Sequence, residues 1–134
     1  MASVDSYNNL FGVVCIPPAE YTRTQTGATV DMLGYESVTF FITTGVVTDG
    51  TWGTALEDSD SSGSGFADVV APYLLGEEPD FGIDDDQIYR VGYVGNKRYV
   101  RLNVLLSTPG TAIFGVFAVM GAPRVAPTPE QPVT

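Results

Sequence analysis

The sequence predicts an all-β domain, an antiparallel sandwich or barrel. Short β-branched and aromatic runs recur along the chain, separated by Gly, Pro, Asn, Asp and Ser. Several of these runs alternate apolar and polar residues with period two, and helical spacing of apolar residues is almost absent. At 134 residues and 44% hydrophobic, the chain is long enough for one packed core and too short for two ordinary domains.

The first run covers residues 10–16 and is expected to end at Pro17 and Pro18. The clearest early strand covers residues 37–44. There Val38, Phe40 and Ile42 form one face against Thr39 and Thr43, and Phe41 breaks the alternation and requires cover. Asp49-Gly50 reads as a tight turn into residues 51–57, where Trp52, Thr54 and Leu56 share a face. Residues 58–65 are a Ser/Asp/Gly segment expected to be a flexible loop. Residues 66–75 form the only stretch suited to a helical turn or two, limited by Pro72, and residues 77–86 read as a second acidic loop.

A hairpin is expected next, with arms 87–94 and 98–107 about Gly95, Asn96 and Lys97, where Gly and Asn tolerate positive φ. Val100, Leu102, Val104 and Leu106 make one face of its second arm, against Tyr99, Arg101 and Asn103. The last strand, residues 112–120, is apolar on both sides: Phe114, Val116, Ala118 and Met120 one way, Ile113, Phe117 and Val119 the other. Such a strand is either central and covered twice or part of a subunit interface. Pro123, Pro127, Pro129 and Pro132 mark an extended C-terminal arm. The expected organisation is an N-terminal arm at 1–9, a single domain at 10–121 and a Pro-rich arm at 122–134.

Sixteen acidic residues against six basic ones give a net charge of −10, which disfavours nucleic acid and anionic membrane as partners. The single Cys15 lies in an apolar run and reads as a small buried hydrophobe. The first residues lack the basic-then-apolar pattern of a signal peptide, and no apolar run approaches the roughly 20 residues of a membrane span. A soluble protein folding in a reducing cytoplasm is expected.

Histidine is absent, which removes the commonest general base, metal ligand and partner of a nucleophile. No phosphate-binding loop is present, since Gly63-Ser64-Gly65 precedes no lysine. What remains is a carboxylate pair drawn from Glu57, Asp58, Asp60, Asp84, Asp85 and Asp86, but these acids lie mainly in segments expected to be solvated. Asp58, Asp60, Ser62 and Gly63 match the opening of an EF-hand loop, yet the twelfth position is Val69 where Glu is required. A looser oxygen site for calcium in residues 58–65 or at Asp84, Asp85 and Asp86 is the alternative to a solvated acidic loop, and the solvated loop is the favoured reading. No enzyme activity, cofactor or metal is expected. Tyr89, Tyr93, Tyr99, Arg90, Arg98 and Arg101 mark an aromatic and basic stripe on the expected hairpin. Its bland reading is cross-strand packing and its functional one a protein interface.

The order Gly34-Tyr35-Glu36-Ser37-Val38-Thr39-Phe40, then residues 45–51 and 56–60, then residues 92–101 and a closing Gly121-Ala122-Pro123-Arg124, resembles a group of small head proteins of tailed phages and prophages. These are similar to the jelly-roll decoration, or cement, proteins on the outside of HK97-type capsids. The resemblance covers most of the chain from about Gly34 onward. It implies a homo-oligomeric jelly-roll β-sandwich, a dimer or trimer. Such a protein binds the major capsid protein on the outer surface of the virion, stabilises contacts between capsomers and carries no catalytic residues. The interface residues expected are Phe41, Tyr93, Lys97, Arg98, Tyr99, Arg101, Phe117, Pro123, Arg124, Pro127 and Pro129, with Val13, Ile113 and Val119 adding to an apolar patch. Two alternatives remain. One is a tail-tube or head-completion subunit using residues 58–65 as its mobile loop. The other is a carbohydrate-binding module or small glycosidase using Trp52 and the tyrosines as a platform.

Overall fold

The computed structural model describes residues 3–131; Met1, Ala2 and Pro132 to Thr134, the tips of the two expected arms, lie outside them. Ten strands form two antiparallel sheets: β1 Phe11–Tyr21, β2 Gln25–Thr26, β3 Val30–Asp31, β4 Tyr35–Val47, β5 Thr51–Ser59, β6 Ala67–Asp68, β7 Leu74–Leu75, β8 Ile88–Tyr93, β9 Tyr99–Thr108 and β10 Ala112–Pro123. The first sheet runs β1-β10-β4-β8-β7 and the second β2-β9-β5-β6, with β3 also on β9. Among the described residues the helical content is two three-residue 3-10 turns, Tyr7–Asn9 and Ala71–Tyr73, the latter carrying Pro72. The chain changes sheet between β1 and β2, β3 and β4, β4 and β5, β6 and β7, β8 and β9, and β9 and β10, a jelly-roll-like winding.

The inward faces are those the alternation marks. Val38, Phe40 and Ile42 of β4 meet Trp52 and Leu56 of β5, Val100, Leu102 and Val104 of β9, and Phe114, Val116 and Ala118 of β10, all at most 3% exposed. An aromatic knot centres the core: Trp52 stacks on Phe81 at 5.7 Å and meets Phe114 edge-on at 5.3 Å, while Tyr21 lies 4.8 Å from Phe114. Cys15 is buried, and Val13, expected on an outer patch, is directed inward opposite Ala118.

Several expectations are corrected. Residues 87–94 and 98–107 are not a hairpin: β8 pairs with β4 and β9 with β5, in opposite sheets. Neither Gly95 nor Asn96 takes positive φ; Gly95 is required because a Cβ there would meet the Tyr93 ring. Asp49-Gly50 likewise turns a corner between sheets, and the neighbouring corner at Gly110 packs onto it. β1 continues through Pro17 and Pro18 to Tyr21 with register shifts, which an edge strand tolerates because its outer N–H groups are not needed for pairing. β10 extends through Pro123, paired with Tyr35, two residues into the segment assigned to an arm. Residues 58–65 are not a loose loop. Ser59, 3% exposed, donates to the Ser64 carbonyl and accepts from the Ser61 N–H, closing a compact turn.

The acidic segment 77–86 is also part of the framework. Glu78 accepts the Leu56 N–H, the Pro79 carbonyl accepts the Thr54 hydroxyl, and Phe81 plugs the core with its N–H on the Trp52 carbonyl. The C-terminal segment lies back along β1. The Thr128 N–H donates to Asn8 and its hydroxyl to Leu10, and Gln131 brackets both backbone groups of Gly12.

Candidate interaction site

Two surfaces collect the residues that sequence reasoning singles out. One is a cleft of about 240 Å³ at the end of the sandwich, lined by Met32, Leu33, Tyr35, Lys97, Arg98 and Arg124 among others. The turn after β3 forms one wall, held by the Met32 N–H on the Arg98 carbonyl and the Arg124 N–H on the Gly34 carbonyl. Gly34, at φ +92, makes that turn without steric cost. The β8–β9 crossover brings Lys97 and Arg98 to the other wall.

The cations of this cleft are already engaged. Lys97 meets Asp60 at 2.6 Å, Arg98 grips Asp31 through two hydrogen bonds of 2.8 Å, and Arg124 meets Glu36 at 2.8 Å. The Arg98 hydrogen bonds hold the Asp31 carboxyl below the usual range, and Asp60 raises the Lys97 ammonium. Away from the cleft, Arg101 meets Glu57, which also accepts from Asn103, and lies 4.0 Å from the centre of the Phe66 ring.

Tyr93 is corrected as an interface contact. It is 4% exposed; its hydroxyl donates to Asp58 at 2.7 Å and accepts the Lys97 N–H at 3.0 Å, so it braces the β8–β9 crossover from inside. Burial first, and the Asp58 hydrogen bond second, push its phenol well above the ordinary range. The expected aromatic and basic stripe is divided. Arg90 lies on the outside of the first sheet, Arg98, Tyr99 and Arg101 belong to the second, and Tyr89 packs toward the core. Trp52, 1% exposed, is no sugar platform. Of the acids considered for catalysis or calcium, Asp58, Asp60 and Glu57 serve the contacts above and Asp85 accepts the Val47 N–H at 2.9 Å.

The second surface is the outer face of the first sheet. Register places Val14, Phe117, Phe41 and Arg90 side by side across four strands. Phe41, which required cover, stacks on Phe117 at 5.3 Å and 14°. Val14 is 61% exposed, Leu75 57%, Ile88 64% and Ile113 38%, and no layer of the described chain packs over them. β10 is therefore central within its sheet and covered on one side only. Pro123 ends β10 beside the cleft, while Pro127 and Pro129 line a groove with Tyr7, Leu10 and Gln131 where the two terminal segments meet. Sequence reasoning placed Arg90 in a stripe on the expected hairpin and did not single out Ile88, because the hairpin reading assigned β8 to a different partner. Compared with protein-family models and with curated proteins, this chain matches none.

Proposed function

We propose that the protein is a structural subunit and not an enzyme: a decoration protein that binds the outer surface of a tailed-phage capsid and stabilises contacts between capsomers. The observation that carries this reading is the uncovered apolar face of the first sheet, on a domain in which four of the six basic residues are already paired with carboxylates of the same chain. An apolar sheet face bounded by polar loops is the anatomy of an assembly contact. The order of sequence motifs that resembles jelly-roll cement proteins supports the same reading, and the jelly-roll winding fits it. The partners are then the major capsid protein and further copies of the chain. Repetition over a lattice converts a modest contact into firm attachment through avidity.

Co-sedimentation with matched capsids, before and after expansion, tests this alongside the mass in free solution. The expected result is saturable binding to expanded shells in fixed ratio to the capsid protein. Phe117→Glu, which adds a charge to the apolar face, should weaken that binding at least about tenfold while leaving the fold intact. Failure to bind shells, together with self-assembly into rings or tubes, would replace this reading with a tail-tube subunit.

A further inference from the structure

Sheet edges expose unpaired backbone groups, and folded proteins block them. Three edges of this sandwich are blocked. β1 carries Pro17 and Pro18 and has Gln131 on Gly12. β9 is bordered by β2 and β3. β5 is bordered by β6 and by the segment that donates from Phe81 and accepts at Glu78. The fourth edge is different. β7 covers β8 only at Gly92 and Tyr93, and after Leu75 the chain turns away at Gly76, φ +81.

Ladder parity shows what is left over. In an antiparallel pair, alternate residues direct both backbone groups to the same neighbour. The Thr44 N–H donates to the Gln87 carbonyl, so Tyr89 and Val91 direct their backbone groups toward β4. The Val94 N–H donates to the Tyr73 carbonyl on the other side, so Gly92 faces β7, and Ile88 and Arg90 direct theirs to the same open side. No described residue bonds to them there. Arg90 is exposed, has no ion pair among the described residues and borders a groove with Thr39, Leu75, Gly76 and Gly92. Of the six basic residues, Arg23 and Arg90 have no ion pair among the described residues, and of these two it is Arg90 that stands on the open edge.

We infer that the open edge of β8 at Ile88 and Arg90 receives an extended segment of a partner protein, which adds as a strand in line with β7 and places a carboxylate beside the Arg90 guanidinium. Backbone hydrogen bonds supply the attachment and the cross-strand ion pair the selection, since the residue opposite Arg90 shares its face of the sheet. This inference does not depend on the identity of the partner, so it stands or falls separately from capsid decoration.

The test is amide hydrogen exchange on the full chain, with capped seven-residue peptides of alternating valine and threonine carrying Glu, Ala or Lys at the centre. Ile88 and Arg90 amides should exchange freely in the protein alone and slow at least about tenfold with the Glu peptide, less with Ala and least with Lys. Arg90→Pro, which removes the outward N–H together with the guanidinium but none of the hydrogen bonds to β4, should fold and lose the protection at Ile88; Arg90→Glu should reverse the order of the peptides. Equal protection by the Glu and Lys peptides, protection confined to another edge, or none with any peptide at millimolar concentration overturns the inference. Slow exchange in the protein alone overturns it too, and if that protection grows with protein concentration a second copy is the occupant.

Discussion

Replacing Tyr93 by Phe separates an internal brace from a surface contact. The hydroxyl donates to Asp58 at 2.7 Å and accepts the Lys97 N–H at 3.0 Å, with the ring 4% exposed. Its removal leaves a carboxylate oxygen and a backbone N–H without their partner. A hydrogen bond to a charged group contributes about 1.5–3 kcal/mol. Water reaches part of Asp58, so about 2 kcal/mol is expected. At roughly 2.1 cal/mol/K per residue, 134 residues give an unfolding entropy of about 0.28 kcal/mol/K, so Tm should fall by about 7 °C. Adding Asp58→Asn should cost little more, because the pair acts as one unit. The alkaline limb gives a second reading. Because the phenol is raised in the folded state, its contribution is complete below the unfolded pKa near 10 and is lost as pH climbs toward the higher folded value. The wild type should therefore lose up to about 1.4 kcal/mol per pH unit above pH ~10 that the Phe variant does not lose. A Tm change under about 2 °C, combined with loss of attachment to capsids, would refute the brace and restore Tyr93 as a surface contact.

Gly110→Ala should cost about 3 kcal/mol or more and lower Tm by about 10 °C, since its Cβ would press on the backbone of Asp49 and Gly50 and force the two corner turns apart; an unchanged melt would show that the corners do not pack. Gln131→Ala should cost about 1–2 kcal/mol and speed amide exchange at Gly12, because it removes both bonds that bracket that residue. Unaltered exchange would mean that the C-terminal segment is free of β1. Cys15, 5% exposed and with its thiol pushed up to about 11 by burial, should resist thiol reagents at pH 8 until the protein unfolds. Fast labelling of the native protein would contradict its place in the core.

The sequence showed where the strands are more clearly than how they pair. Alternation in residues 37–44 and 98–107 marks the inward faces, and Val38, Phe40, Ile42, Val100, Leu102 and Val104 all lie there. Pairing was misread because a three-residue link such as Gly95-Asn96-Lys97 suits both a hairpin and a corner between sheets. The deciding fact is a three-dimensional one: β8 finds β4, far away in the chain, as its partner. Phe81 stands in an acidic stretch with no periodicity around it, so its role as a core plug carries no local signal; only its aromatic character sets it apart from the surrounding acids. Gln131 and Ser59 were illegible for the same reason, since a polar side chain that closes a distant backbone group reads locally as solvent-facing.

The candidate site follows from the same distinction. Arg98, Arg101, Arg124 and Lys97 attract attention in the sequence as charges in an acidic protein, yet each is committed to a carboxylate in the fold. Exposed pairs of this kind contribute at most about 1 kcal/mol and leave no unmet demand for a ligand. Unmet demand is what recruits a partner: apolar area in water, backbone groups with no ladder, a cation with no counter-ion. All three coincide on the first sheet, at Phe41 and Phe117, at the Ile88 and Arg90 edge, and at the Arg90 guanidinium. A sheet covered on that side would need none of these contacts supplied from outside, so the placement of Arg90 beside an uncovered apolar row is the feature on which the proposed strand addition rests.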